Sequence, residues 1–178
     1  FGRSQRKRGQ LLEELTRFYE KIGYRVASRV LDSSDYMVPQ RRKRLFVVGL
    51  RDGSFEFPPP SSGAGSDQFR SVREVSTVED AFGDLPPPAS VLNQDYERPP
   101  QGWLQEFLRH GSAGLHNHTP SKHRPDMLKR LSEQVPGTRL YPNWNHSWHR
   151  LVLSRPSPTV KENHRAPFVH PTEPRVTT

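Results

Sequence analysis

The 178-residue chain contains no cysteine. Disulfides, thiolate metal sites and a cysteine nucleophile are excluded within it. No run of about 20 apolar residues occurs, so no segment reads as a membrane-spanning helix. Apolar residues are scarce at 31%, or roughly 38% with the 12 glycines, against about 45–50% in globular chains. The core must therefore be small. Acidic groups are outnumbered, with 19 Asp and Glu facing 27 Lys and Arg, giving a net charge of +8 and a pI near 10.2. That balance favours a polyanion partner, nucleic acid first and an anionic membrane second. A merely basic soluble surface is the plain alternative. Proline is abundant at 18 residues, about twice the usual share of ~5%, which commits much of the chain to loops. The basic start, Phe1 to Arg8, is followed by no apolar stretch of signal-peptide length. It lacks an initiator Met and reads as a piece of a longer reading frame.

Residues 9 to 22 fit one amphipathic helix, because Leu11, Leu12, Leu15, Phe18, Tyr19 and Ile22 share a face. Gly23 is a natural stop. Tyr24 to Leu31 alternates as a strand, with Tyr24, Val26 and Val30 on one parity. Leu45 to Leu50 is a continuous apolar run that suits a strand buried on both faces. Composition shifts at Phe57, and Pro58 to Ser66 reads as an exposed loop or linker. A short helix is expected over Thr77 to Leu85, with Thr77 as N-cap and Asp80 at its third position. Further helices are expected over Trp103 to His110, with Trp103, Leu104, Phe107 and Leu108 on one side, and from Pro125 to Gln134. Met127, Leu128 and Leu131 would be buried in the last. After Gly137 the pattern dissolves, and no internal repeat is present.

The most informative stretch is Pro39-Gln40-Arg41-Arg42-Lys43-Arg44 at the entrance of the second strand. Alternation sends Arg42 and Arg44 to one side and Arg41 and Lys43 to the other. Paired guanidinium hydrogen bonds suit phosphates and flat acceptors. A solvated basic loop is the plain reading of the same residues.

This stretch resembles the Gln-x-Arg-x-Arg motif of the DNA cytosine-5 methyltransferases. The preceding helix, Gly23-Tyr24, strand and Asp35-Tyr36 match too, although the family usually has Gly where Met37 stands. Thr77 to Ala81 with Asp84-Leu85-Pro86 resembles the family's next short helix. Trp148 to Leu151, Arg155-Pro156-Ser157-Pro158-Thr159-Val160 and His170 to Arg175 resemble its ninth motif and sequel. The blocks occur in family order.

The resemblance implies an α/β fold. The end of a Rossmann-like methyltransferase domain would occupy 1–57 and a linker 58–75. A small, irregular α+β target recognition domain would follow over 76–178. It implies methyl transfer from S-adenosylmethionine to C5 of a cytosine flipped out of double-stranded DNA, since that carbon is inaccessible inside the stack. In the family a cysteine thiolate adds to C6 and a glutamate meets N3. The cofactor loop, the Pro-Cys nucleophile and the Glu-Asn-Val motif are expected upstream, and a last motif downstream. The chain alone is then inactive, and a second chain carrying those motifs is a possible partner. A cytoplasmic, nucleoid-associated location is implied.

By the same resemblance Arg42 and Arg44 belong to the cytosine pocket, Arg44 favoured for the base and Arg42 for phosphate. Gln40, Arg41, Lys43 and Arg150 are DNA-binding candidates, Gln40 chiefly shaping the loop and Arg150 structural first with a phosphate contact second. Pro156 and Thr159 are structural. Base readers are sought between Pro86 and Asn145: Arg109, Asn117, Lys122, Arg124, Arg139, Asn143 and Asn145. Arginine pairs well with guanine and asparagine with adenine. The cofactor is expected to touch nothing in this chain, and no metal site is expected. His116-Asn117-His118 spells a nuclease tripeptide, but those nucleases separate the three residues. The alternative reading is a non-catalytic, sequence-specific DNA-binding protein derived from the family.

Overall fold

A computed structural model describes residues 9–62, 74–91, 93–116, 118–143, 148–160 and 168–177. The first helix, α1 (Gln10–Lys21), carries its apolar residues on one face and ends where Gly23 takes the left-handed conformation at φ +90°. The next two strands, β1 (Arg25–Asp32) and β2 (Lys43–Leu50), pair antiparallel, from Arg25 opposite Leu50 to Asp32 opposite Lys43. A single turn of 3-10 helix, Ser33–Tyr36, joins them. Asp32 ties both ends of that connection, accepting from the backbone N–H of Ser34 at 3.3 Å and of Arg42 at 3.0 Å.

Burial on both faces was the expectation for β2, and the structure corrects it. Leu45, Phe46 and Val47 are all exposed. A two-stranded sheet has few neighbours to cover it, and α1, which packs on β1, itself buries no residue. Pro58 to Ser62 is a loop without helix or strand, mostly exposed, that is held against the 3-10 turn. Tyr36 donates its hydroxyl to Pro58 O at 3.0 Å, and the N–H groups of Ser61 and Ser62 both donate to Asp35 O. Ser62 is fully buried and donates its hydroxyl to Ser34 O at 2.7 Å. Residues 63–66 of that stretch lie outside the described residues.

The short helix α2 (Val78–Phe82) begins as its sequence dictates. Thr77 Oγ1 accepts from the Asp80 N–H, and the Asp80 carboxylate accepts from the Thr77 N–H at 2.7 Å. Such reciprocal capping satisfies two otherwise orphaned donors. The next two are satisfied from far along the chain, Val78 N–H donating to Arg155 O and Glu79 N–H to Leu153 O, each at 3.0 Å.

The remaining elements are two-residue strands and two helices: β3 (Asn93–Gln94), α3 (Trp103–Arg109), β4 (Leu115–His116), α4 (Pro125–Glu133), β5 (His149–Arg150) and β6 (Phe168–Val169). β3 and β4 pair antiparallel, β5 and β6 parallel. Helix α3 buries Leu104 and Gln105, whereas Phe107 is 70% exposed. The expected apolar stripe is displaced because α3 packs on α2 through Gln105, whose amide donates to Glu79 O. In α4 Leu131 is fully buried and Leu128 exposed. Val78, Leu104, Leu131, Leu151 and Val169 form the buried apolar core. All five lie beyond Phe57. No described helix is long and apolar enough to cross a membrane.

Candidate nucleic-acid interface

The two motif stretches of the sequence, more than a hundred residues apart, lie side by side. Gln40 bridges Ser157 in parallel. Ser157 N–H donates to Pro39 O at 2.9 Å, and Arg41 N–H donates to Ser157 O at 2.8 Å. Thr159 adds its hydroxyl, donating to Arg41 O at 2.8 Å, and Arg42 reaches across to donate to Val160 O at 3.3 Å. These four bonds fix where the basic run leaves the loop and enters β2. Gln40 lies between the bonded neighbours, its own carbonyl accepting from the Ser33 hydroxyl at 2.6 Å, and Pro156 flanks the same seam.

Among the hollows around the seam, three are lined by its cations. One of about 300 Å³ is walled by Arg42, Arg44, Tyr36, Phe46, Leu31, Ser33 and Pro58. A second, of about 570 Å³, lies on the other side of the basic run and is lined by Arg41, Lys43, Arg44 and Thr159 together with Asp32 and Asp35. The third, also about 570 Å³, runs from Arg41 and Thr159 to Arg155, Ser154 and His149. Arg42 faces the first hollow and Arg41 and Lys43 the second, whereas Arg44 lines both, so the four cations do not divide fully by parity. His149 has its pKa lowered from the usual value, first by burial and then by the nearby Arg139. It is therefore a neutral ring at neutral pH.

A C-5 cytosine-specific DNA methylase family model matches residues 3–178. The chain belongs to that family. Among curated relatives it is 27% identical over 179 residues to the type II methyltransferase M.DdeI of Desulfomicrobium norvegicum, covering 86% of this chain and 41% of that protein. It is 30% identical over 148 residues to M.AgeI of Thalassovita gelatinovora, covering 72% of the chain and 34% of the relative. The chain thus spans well under half the length of these relatives. In fold it resembles a crystal structure assigned as a DNA modification methyltransferase encoded within an E. coli prophage. The TM-score is 0.68 at 18% identity, over 97% of this chain and 52% of that one.

Several arginines that the methylase resemblance assigns to DNA are turned inward. Arg150 is only 4% exposed. Its guanidinium donates to Pro171 O at 3.1 Å, Leu131 O at 2.5 Å and Glu173 O at 3.2 Å. Burial lowers its pKa from the ordinary arginine value. This corrects its reading as a DNA contact: every nitrogen is spent on carbonyls. Arg109 is corrected for the same reason. It forms a salt bridge with the buried Asp84, donates to Arg98 O at 2.7 Å and lies 3.7 Å above the Tyr96 ring. Lys122, Arg124, Arg139 and Asn143 are exposed. Arg139 pairs through its backbone with His149. Asn117 and Asn145 lie outside the described residues. Arg155, exposed on the third hollow, is a cation that the sequence reading quoted within its motif but gave no role. Among the described residues no three His, Asp or Glu gather as a metal site.

Proposed function

We propose that this chain is the duplex-gripping part of a DNA cytosine-5 methyltransferase, and that Arg42 and Arg44 line its pocket for a flipped cytosine. The observation that carries the reading is the hydrogen-bonded seam between Pro39–Arg42 and Ser157–Val160. It joins the stretch that would hold the base to the unit that would read the sequence. Beside it, Arg42 and Arg44 border one hollow with Tyr36 and Phe46. Arg44 is the candidate for the cytosine carbonyl oxygen, because a fixed cation stabilises negative charge that develops there. Arg42, already donating to Val160 O, is the candidate for the adjacent backbone phosphate. Gln40 shapes the loop, and Arg41 and Lys43 face phosphate. Exposed Lys122, Arg124, Arg139 and Asn143, with Asn117 and Asn145, are the candidate base readers.

We assign residues 1–57 to the end of a Rossmann-like catalytic domain, 58–75 to the connection and 76–178 to the recognition domain. The confinement of the core to the last of these supports that division. S-adenosylmethionine would supply the methyl group. The residues gathered at the seam are cations, hydroxyls and prolines, and they do not build a site for it. Cofactor and cysteine nucleophile would be held by other parts of the protein or by a second chain.

The test is methyl transfer to duplex DNA by the protein that carries this chain, read as C5-methylcytosine by bisulfite sequencing. Arg44→Gln is expected to lower kcat by about 10²–10³, with little change in duplex binding. Duplex binding with no C5-methylcytosine on any sequence would refute the catalytic part. That outcome would leave the second reading, a non-catalytic DNA-binding protein.

A further inference from the structure

We propose that the hollow beyond Arg41 is a binding site for a DNA backbone phosphate, with Arg155 and Arg41 as its two cationic donors. The inference rests on the DNA reading above and adds a contact that the motif itself does not assign. Arg41 and Arg155 come from the two sides of the seam and face one open hollow of about 570 Å³. Neither guanidinium has a hydrogen-bond partner among the described residues. Both are exposed. That contrasts with Arg109 and Arg150, whose forks are filled from within the protein.

Charge separates this hollow from its neighbour. Arg41 lines both, but the neighbour also contains Asp32 and Asp35, which would repel an anion. Among the described residues no carboxylate lines the hollow toward Arg155. Arg139 lies just beyond its His149 wall and acts electrostatically on that ring. An open, acid-free hollow with two unspent guanidinium forks suits a phosphodiester, which accepts paired N–H bonds and needs no deep enclosure. The backbone of Arg155 is independently fixed, since its carbonyl caps α2. A side-chain substitution there leaves that capping bond in place.

The experiment is fluorescence anisotropy of the protein that carries this chain on two duplexes of unrelated sequence, titrated with salt. Each phosphate neutralised contributes about −0.9 to the slope of log K against log salt. Arg155→Gln should reduce the slope by about 0.9 and weaken binding several-fold on both duplexes. Arg155→Lys should retain most of the slope, and Arg17→Gln on α1 should change nothing. An unchanged slope in Arg155→Gln, or a loss confined to one duplex, overturns the phosphate site while the DNA reading stands. A wild-type protein with no duplex affinity overturns both.

Discussion

Replacing Arg150 by lysine decides between two roles that a sequence cannot separate. A phosphate contact survives that change in large part, because lysine also binds phosphate as a point charge. The observed role does not. The guanidinium reaches three separate segments: the C-terminal turn of α4 at Leu131, and the loop carbonyls of Pro171 and Glu173. An ammonium on one unbranched stem cannot span all three. Leu131 O and Glu173 O keep the backbone N–H groups of Gln134 and Arg175, so Pro171 O is the acceptor most exposed to losing its donor. A buried acceptor left unsatisfied costs about 1–3 kcal/mol. For a chain of this size that corresponds to a fall in Tm of roughly 2–12 °C. Circular dichroism melts of wild type and Arg150→Lys give the first number, and salt-titrated anisotropy on duplex DNA gives the second. The expected result is that drop in Tm with an unchanged salt slope for the fraction still folded. A Tm within about a degree of wild type would refute the structural role, because only a surface contact tolerates lysine so well.

Met37 holds a left-handed conformation at φ 62° in the turn before the basic run. Met37→Gly removes that strain and should raise stability by about 0.5–1 kcal/mol, read as a higher denaturant midpoint at unchanged m-value. His170 predicts an acid limb. Its Nδ1 accepts from the N–H groups of Thr172 and Glu173, which requires the neutral ring. Its pKa is lowered to about 4 by burial first, then by Arg175, with Arg150 and His118 acting the same way and Glu173 opposing. The unfolded chain takes up this proton near pH 6.5. The contribution of the neutral ring is therefore whole above that pH and is lost as the pH falls from about 6.5 to about 4, by up to about 3 kcal/mol. In His170→Asn the amide oxygen can accept the same two bonds without titrating. Chemical denaturation across that window should show a flatter pH profile than wild type, and an identical profile would rule His170 out as its source.

Local structure was legible wherever a local cause produced it. The face of α1, the stop at Gly23 and the Thr77–Asp80 cap all follow from neighbours a few residues apart. The errors have one origin. Arg109 reads as a base-contacting surface cation and Arg150 keeps a DNA contact open beside its structural reading, yet their partners are carbonyls and a carboxylate contributed by other segments. Asp84, 25 residues from Arg109, carries no mark in the sequence that it will be buried. Likewise the run Leu45 to Leu50 reads as an interior strand from its composition, but its burial depends on what covers it. Nothing in six apolar residues specifies that cover.

The seam shows what such distant pairing accomplishes. Arg41 and Arg42 sit in a loop that has no regular structure of its own before β2 begins, and a loop of that kind would leave long cations poorly aimed. Four hydrogen bonds to Ser157, Thr159 and Val160 remove that freedom. The same Pro-rich segment, through the carbonyls of Leu153 and Arg155, starts α2 and so is anchored in the buried core at Val78. Any shift of the core unit as it seats on a duplex must therefore be transmitted to the loop that precedes Arg42 and Arg44. Thr159 is the one side-chain hydroxyl in this linkage, and its bond to Arg41 O can be removed without altering charge. Placement of the arginines thus depends on a neutral contact made at the far side of the sequence, which is why a motif read as merely structural bears on the pocket.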